Sequence, residues 1–258
     1  MAAAGPVATV VQPSDVAAEL TADGVTVRQL ADTGGGATGG LVRRLIEIPA
    51  GSQLADAAPG AQLWFVLGGS GQISLPDQAG RQSWQLGPDQ GMLLPTGTRY
   101  RLTGPLHLDV VTLPEPATPL PGPDSQQPAA AWAPLVRDLA ACPVERTGDR
   151  HFRVLFGPGR DCQVATQFVG EIPPGRAPEH SHPYDEVVLV LAGDGVAHAG
   201  GAQHALARGT CIHLPPGVPH CLENTGPRML RVLGVFHPAD SPAAKLAPAG
   251  EPAQSSAE

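Results

Sequence analysis

The chain has 258 residues and a net charge of −8. This length is too great for one small domain and is sufficient for two. Its few basic residues are scattered, which excludes an extended nucleic-acid-binding surface. No run of about 18 apolar residues is present, so we expect no membrane span. The N-terminus lacks a basic region before its apolar part, so we expect no secretory signal and a cytoplasmic protein.

The first half of the chain has the pattern of an all-β domain. Residues 1–20 are predicted to be a flexible arm. Beyond them, short apolar segments alternate with turns that contain Gly and Pro, which predicts a sandwich or barrel. The strands expected in this half are Thr26–Leu30, Leu41–Ile48, Gln62–Leu67, a strand–turn–strand unit over Gly91–Tyr100, and Leu106–Leu113.

A Pro-rich stretch over residues 114–136 predicts an extended linker between two domains at 21–113 and 137–240. Around its end, Leu135–Ala141 is compatible with either a short helix or a docking strand. Residues 241–258 are mostly Ala, Pro, Ser and Glu, which predicts a disordered tail. The strands expected in the second half include His151–Phe156, Cys162–Ile172 and Met229–Phe236.

Three candidate metal ligands, His180, His182 and Glu186, lie in one short segment of the second half. Side chains alternate with a period of two along a strand, so all three would share a face, whereas a helix would separate the two histidines. The β-branched apolar run over 187–191 favours the strand.

A second segment, residues 209–224, complements the first. It predicts a strand, a tight Pro-Gly turn, and a strand that opens on His220. Three imidazoles and one carboxylate on facing strands predict a site for one divalent transition metal ion. Fe, Mn, Ni, Cu and Zn are all compatible with this donor set.

The two segments resemble the paired motifs of the cupin superfamily. The matching residues are Gly175, His180, His182, Glu186 and Gly193 in the first motif, and Gly209, Pro215, Gly217, His220 and Asn224 in the second. The spacing from glycine to histidine in the first motif is one residue shorter than in the common form. The resemblance implies a jelly-roll (double-stranded β-helix) barrel in which His180, His182, Glu186 and His220 hold the metal ion.

An internal repeat extends this resemblance to the first half. The matching pairs are Glu47–Gly51 with Glu171–Gly175, Leu67–Gly71 with Leu191–Gly195, and Leu94–Gly97 with Leu214–Gly217. The chain is therefore expected to be all-β, with two cupin-type barrels. The ligands do not repeat, because Asp56, Ala58, Gln62 and Tyr100 occupy the equivalent positions. We expect a degenerate first cupin that binds no metal.

Other residues of the second half carry weaker signals. Tyr184 lies two residues from both His182 and Glu186, so alternation would place it on the same strand face. It is a speculative catalytic residue, and the alternative is a loop tyrosine at the rim of the cavity. Val188 and Val190 are expected to line an apolar cavity. Pocket positions are also considered for Gln167, Arg153 and Arg231. The cysteines, Cys142, Cys162, Cys211 and Cys221, are expected to be free and buried.

The resemblance implies an enzyme that acts on a small organic molecule at open coordination positions of the metal. A non-haem metal dioxygenase, an oxidoreductase, is the leading hypothesis. A redox-neutral isomerase, lyase or hydrolase is the alternative, and a non-catalytic binding bicupin is the third. The expected partners are the small-molecule substrate and, as an option, a second copy in a homodimer. A wholly apolar cavity wall would favour an aromatic substrate, and an arginine there an acidic one.

Overall fold

The computed structural model describes residues 6–34, 40–76, 82–114, 135–158 and 161–243. Across these ranges the chain forms β-strands, two 3-10 helices at Pro13–Asp15 and Leu139–Ala141, and no α-helix. None of the helices in these ranges is long and apolar enough to cross a membrane. Most of the predicted linker and nearly all of the predicted tail lie outside the described residues.

The strands before the linker are β1 (Thr9–Val11), β2 (Glu19–Leu20), β3 (Thr26–Asp32), β4 (Val42–Ile48), β5 (Gln53–Ala57), β6 (Gln62–Gly69), β7 (Gly71–Leu75), β8 (Gln82–Leu86), β9 (Gln90–Leu94), β10 (Arg99–Thr103) and β11 (Leu106–Thr112). Those after it are β12 (Leu135–Asp138), β13 (Glu145–Thr147), β14 (Arg150–Phe156), β15 (Thr166–Ile172), β16 (Gly175–Arg176), β17 (Asp185–Ala192), β18 (Gly195–Ala199), β19 (Ala202–Leu206), β20 (Cys211–Leu214), β21 (His220–Asn224) and β22 (Leu230–His237).

These strands form two jelly-roll barrels, each made of one seven-stranded and one four-stranded sheet. The first barrel has the orders β12-β9-β6-β11-β4-β3-β2 and β5-β10-β7-β8. The second has the orders β1-β20-β17-β22-β15-β14-β13 and β16-β21-β18-β19. The repeat of strand order confirms the prediction of two barrels in an all-β chain.

The strand register also repeats between the barrels. Gln62 of β6 lies opposite Leu94 of β9, and Glu186 of β17 lies opposite Leu214 of β20. The side chains of Gln62 and Glu186 therefore leave equivalent positions in their barrels, as the sequence repeat predicts.

Each barrel contains one strand that the sequence analysis assigned elsewhere. β1, within the predicted flexible arm, pairs with β20 of the second barrel, and Gln12 accepts a hydrogen bond from the hydroxyl of Thr210. β12 pairs with β9 of the first barrel, so the segment 135–138 is a docking strand. The arm prediction is therefore wrong for β1. The first barrel also extends past the predicted boundary at 113, because an open sheet edge gains main-chain hydrogen bonds from an added strand.

The interface between the barrels is an apolar core without a break, to which residues of both barrels contribute. The side chains of Arg43 and Asp109 form a fully buried ion pair in it, with 2.9 Å between Arg43 Nε and Asp109 Oδ1. Arg43 also donates to the carbonyl oxygen of Leu233 in the second barrel, at 3.2 Å. The two barrels therefore share one core.

Candidate metal centre

The predicted ligands meet where the chain passes from the small sheet of the second barrel to the large one. His180 forms an isolated bridge with His220, the first residue of β21, through main-chain hydrogen bonds of 3.0 and 2.8 Å. Glu186 is the second residue of β17 in the large sheet. Pro183 lies between His180 and Glu186 in the chain and has no N–H to donate. The regular strand therefore begins at Asp185, later than the sequence suggests.

Three ring nitrogens, one each from His180, His182 and His220, lie within 4.8 Å of one another. The Oε2 atom of Glu186 lies 3.4 Å from Nε2 of His182 and 3.6 Å from Nε2 of His220. His182, Glu186 and His220 are buried, and His180 is partly exposed. Three imidazoles and a carboxylate in this arrangement could hold a divalent transition metal ion.

The histidine rings are oriented for coordination through Nε2. Nδ1 of His180 lies 3.0 Å from the carbonyl oxygen of Pro178, and Nδ1 of His220 lies 2.9 Å from that of Val218. When Nδ1–H donates to a carbonyl, the tautomer is fixed and the Nε2 lone pair is free for a metal. Nε2 of His220 is buried without a hydrogen-bond partner, and a metal ion would satisfy it. The residues therefore fit the ion that the donor set implies.

The second motif stabilises this geometry. The N–H of Gly217 donates to the carbonyl oxygen of His182 at 2.7 Å, which joins the turn to the ligand segment. Gly217 has φ +79°, a conformation that side chains with a Cβ rarely adopt. The buried Asn224 amide donates to the carbonyl oxygens of Ile172 and Arg228. These motif residues therefore hold the loops that carry the ligands.

The titration of the ligands also suits metal binding. Burial, together with repulsion from His220, lowers the pKa of His180 to about 4, so its ring is neutral at pH 7. Burial acts to raise the pKa of Glu186, but its interactions with the nearby imidazoles of His182 and His220 outweigh burial and hold the pKa well below the usual range. Glu186 in turn raises the pKa of His220 against the effect of burial. A metal ion binds neutral imidazole and ionised carboxylate, so binding here would displace any proton held by His220.

The ligands lie in the wall of a cavity of about 330 Å³, a volume that suits a small organic molecule. Most of the wall is apolar. Its larger apolar side chains are those of Phe152, Phe168, Ile172, Val188, Leu214, Leu222, Val232 and Phe236.

Several residues that the sequence analysis considered for the cavity lie elsewhere. Val188 lines it as expected, but Val190 packs in the barrel core. Gln167, Arg153 and Arg231 are not part of the wall. Each is one residue away from an inward-facing residue of its strand, so alternation turns its side chain to the other face.

Tyr184 does not line the cavity either. Its ring stacks on His182 with 4.8 Å between centroids and packs against Phe236 at 5.1 Å. Burial, with a contribution from Asp240, raises the pKa of the Tyr184 phenol far above its usual value. Tyr184 therefore packs behind His182, and its catalytic role stays a prediction.

Sequence analysis missed the polar part of the wall. The polar lining residues besides the four ligand candidates are Thr147, Arg150, His151, Glu171 and Glu179. Alternation offered a signal for Arg150, because it lies two residues before Phe152 and so shares the inner face of β14. The strand was expected to begin at His151, which left Arg150 out.

The four equivalent positions of the first barrel hold no such group. Tyr100 lies opposite Asp56, as His220 lies opposite His180. The Tyr100 ring meets the ring of Trp64 edge-on at 4.9 Å, and the indole N–H of Trp64 donates to Gln62 at 2.9 Å.

Comparison with known proteins identifies part of the chain. Residues 168–236 match the family described as the cupin domain. The match spans His180, His182, Glu186 and His220 and agrees with the resemblance of the two motifs. None of the curated proteins matches the chain.

Solved structures extend the cupin likeness to both barrels. Two mutant forms of the oxalate decarboxylase OxdC of Bacillus subtilis superpose with TM-scores of 0.71 and 0.70, at 13% and 12% identity. The alignments cover 93% and 92% of this chain, and 79% and 78% of those chains. A further structure of that enzyme concerns its Mn(II) centres and aligns at 13% identity with a TM-score of 0.70, over 93% of this chain and 79% of that chain. At this identity the likeness establishes a shared fold, with two cupin barrels.

Proposed function

We propose that the second barrel is a metal-dependent enzyme that acts on a small organic molecule. His180, His182, Glu186 and His220 would hold one divalent transition metal ion. The observation that supports this most is the group of ring nitrogens within 4.8 Å, beside a buried carboxylate, in the wall of a cavity. A cluster of titratable groups in the wall of a largely apolar cavity is typical of a functional site.

The leading hypothesis for the reaction is a dioxygenase. The ion held by these four residues would supply Lewis-acid chemistry and a place for a substrate oxygen and O₂ to bind. The rings of Phe152, Phe168 and Phe236 make the wall around the proposed ligands largely apolar. Glu186, with its carboxylate between two imidazoles, is assigned as a ligand and not as a general base.

A redox-neutral reaction is the second candidate, and one pair of residues favours it. His151 and Glu171 lie opposite each other on β14 and β15, and both line the cavity. A histidine and a carboxylate at the cavity could move a proton to or from a bound substrate. The solved structures that share the fold belong to a decarboxylase, which is consistent with this alternative.

The proposal assigns different roles to the two halves. The proposed domains are the first cupin at 21–113 and the second at 137–240. Outside these bounds, β12 joins a sheet of the first barrel and β1 joins a sheet of the second. The first barrel is proposed to be a degenerate cupin that supports the second. The cytoplasmic location and the homodimer stay predictions.

Oxygen consumption tests the leading hypothesis. The purified chain, reconstituted separately with Fe(II) and Mn(II), is mixed with a panel of small organic acids that includes oxalate, in an oxygen-electrode cell. A dioxygenase consumes about one O₂ per substrate lost. Product formed without O₂ uptake supports the redox-neutral alternative. Metal bound without turnover of any compound, in both loaded forms, would favour the non-catalytic binder, and failure to bind metal would overturn the proposal.

A further inference from the structure

Arg150 is the one arginine among the described residues of the cavity wall. It is the first residue of β14 and lies opposite Thr147 in the hairpin that forms one lip of the barrel. Phe152, two residues further along, also lines the cavity, so both side chains leave the strand on its inner face.

The guanidinium of Arg150 has no partner among the described residues. No ion pair or hydrogen bond joins it to another side chain, and its Nε atom is buried without an acceptor. Arg150 is partly exposed, but a buried Nε–H without an acceptor costs stability, so its retention in the cavity wall suggests a ligand that satisfies it.

The acidic residues of the wall are occupied or turned to solvent. Glu186 lies between two histidine ligands. Glu171 lines the cavity, but its Oε1 atom lies 3.7 Å from Nε of Arg231, which provides its positive partner. Glu179 is exposed. Arg150 is therefore left as a cation that faces the cavity without a carboxylate of its own.

We propose that Arg150 binds the carboxylate of the substrate, and that the substrate is an organic acid with an apolar body. The inference rests on the proposed function, because it places the other end of the same molecule at the metal ligands. A guanidinium binds a carboxylate through two parallel N–H···O bonds, and this geometry also fixes the direction of the ligand. Phe168 and Phe236 then cover the apolar body.

The size of the cavity separates this class of substrate from the smallest acids. A space of about 330 Å³ with phenylalanine on several sides exceeds what a two-carbon acid can fill. Burying an apolar body against these side chains contributes about 25 cal/mol per Å² of surface removed from water. A ring or a branched chain of several carbons uses that surface, and a bare dicarboxylate does not.

A matched pair of probes tests the role of Arg150. Phenylacetate and phenylacetamide have the same shape and differ in charge. Their binding to the full chain, stripped of metal with a chelator, is measured by calorimetry, so that the acid cannot bind a metal ion. Because hydrogen bonds to charged groups contribute about 1.5–3 kcal/mol, we expect the acid to bind roughly 10- to 100-fold more tightly than the amide.

Two variants complete the test. Arg150→Gln is expected to remove the preference for the acid, whereas Arg146→Gln, an exposed position on the neighbouring strand, is expected to keep it. Equal binding of acid and amide by the unmodified chain would overturn the inference, and this result does not depend on the folding of a variant. Persistence of the preference in Arg150→Gln would overturn it too.

Metal binding is measured separately, on the same variants. Arg150→Gln should bind as much Co(II) as the unmodified chain, as seen in the visible absorption of the metal complex. Absence of Co(II) binding in the unmodified chain would contradict the proposed function. The preference for the acid, measured on the metal-free chain, would still test the role of Arg150 independently.

Discussion

The two barrels share a strand order and differ in what fills their interiors. In the second, Val188 leaves space beside the ligands, and His220 faces that space. In the first, the equivalent positions carry Trp64 and Tyr100, whose rings meet edge-on at 4.9 Å. Both aromatic residues are almost fully buried. The same backbone thus encloses a cavity in one half and a packed core in the other, and the choice depends on a few side chains.

The polar residues of the first barrel show the same difference. Gln62 stands where Glu186 stands, yet its amide accepts from Trp64 and donates to Thr112 at 3.2 Å. Its polar atoms are used inside the first barrel. We infer that the first barrel supports the shared core and that the chemistry belongs to the second.

The largest expected effect is the loss of metal on removing two histidines. His180→Ala with His182→Ala removes two of the four proposed ligands, so metal binding should weaken by more than about a thousandfold. Metal analysis should find at most one ion per unmodified chain and none in the double variant. His213→Ala, which removes an outer-face pair with Asp185, serves as the control. Two ions per chain would contradict the contrast between the barrels.

The packed interior of the first barrel should be sensitive to truncation. Trp64→Val, which introduces the residue found at the equivalent position 188, removes a buried ring and leaves a cavity at a cost of about 3 kcal/mol or more. Val188→Ala, whose side chain already faces open space, should cost about 1 kcal/mol. Urea unfolding, followed by circular dichroism, measures both. Similar losses in the two variants would show that the interiors do not differ as described.

Glu186→Gln should weaken metal binding along with turnover. An amide is a poorer ligand than a carboxylate, and we expect a loss of metal affinity of roughly 10- to 100-fold, with part of the activity restored by excess metal. Titration with Co(II) checks the affinity. Full metal affinity without turnover would show instead that Glu186 acts as a base.

The smallest effect is expected at Tyr184. Tyr184→Phe keeps the ring that stacks on His182 and removes only the hydroxyl, so metal affinity and the pH profile should change by less than about threefold. Tyr184→Ala removes the ring and should weaken metal binding more than the Phe variant does. A large loss of turnover in Tyr184→Phe, with unchanged metal binding, would restore the catalytic role that its position in the sequence suggested.

The sequence predicted the parts of the fold that depend on local pattern. Alternation and the Pro-Gly turn located the ligand segments, and the repeat predicted Gln62 and Glu186 at equivalent positions. Alternation failed next to Pro183, where the chain changes sheets, and Tyr184 therefore lies behind a ligand and not in the cavity.

Features that depend on distant contacts could not be predicted. Nothing local in β1 or β12 indicates which sheet edge each will join, because that edge is built from residues far away in the chain. The packing of Trp64 against Tyr100 could not be predicted either, since neither residue alone indicates that side chains fill the interior of the first barrel.

The crossing of β1 and β12 affects the order in which the protein can form. The first barrel lacks an edge strand until Leu135–Asp138 has been synthesised. β1 has no partner until Cys211–His213, about 200 residues further along the chain, has been synthesised. Domains that fold during synthesis usually complete themselves one after another. Here β1 precedes the first barrel in the chain but pairs with β20 of the second, so this edge of the second barrel forms only after the strands of the first have been made, a pairing of high contact order typical of slow-folding β proteins.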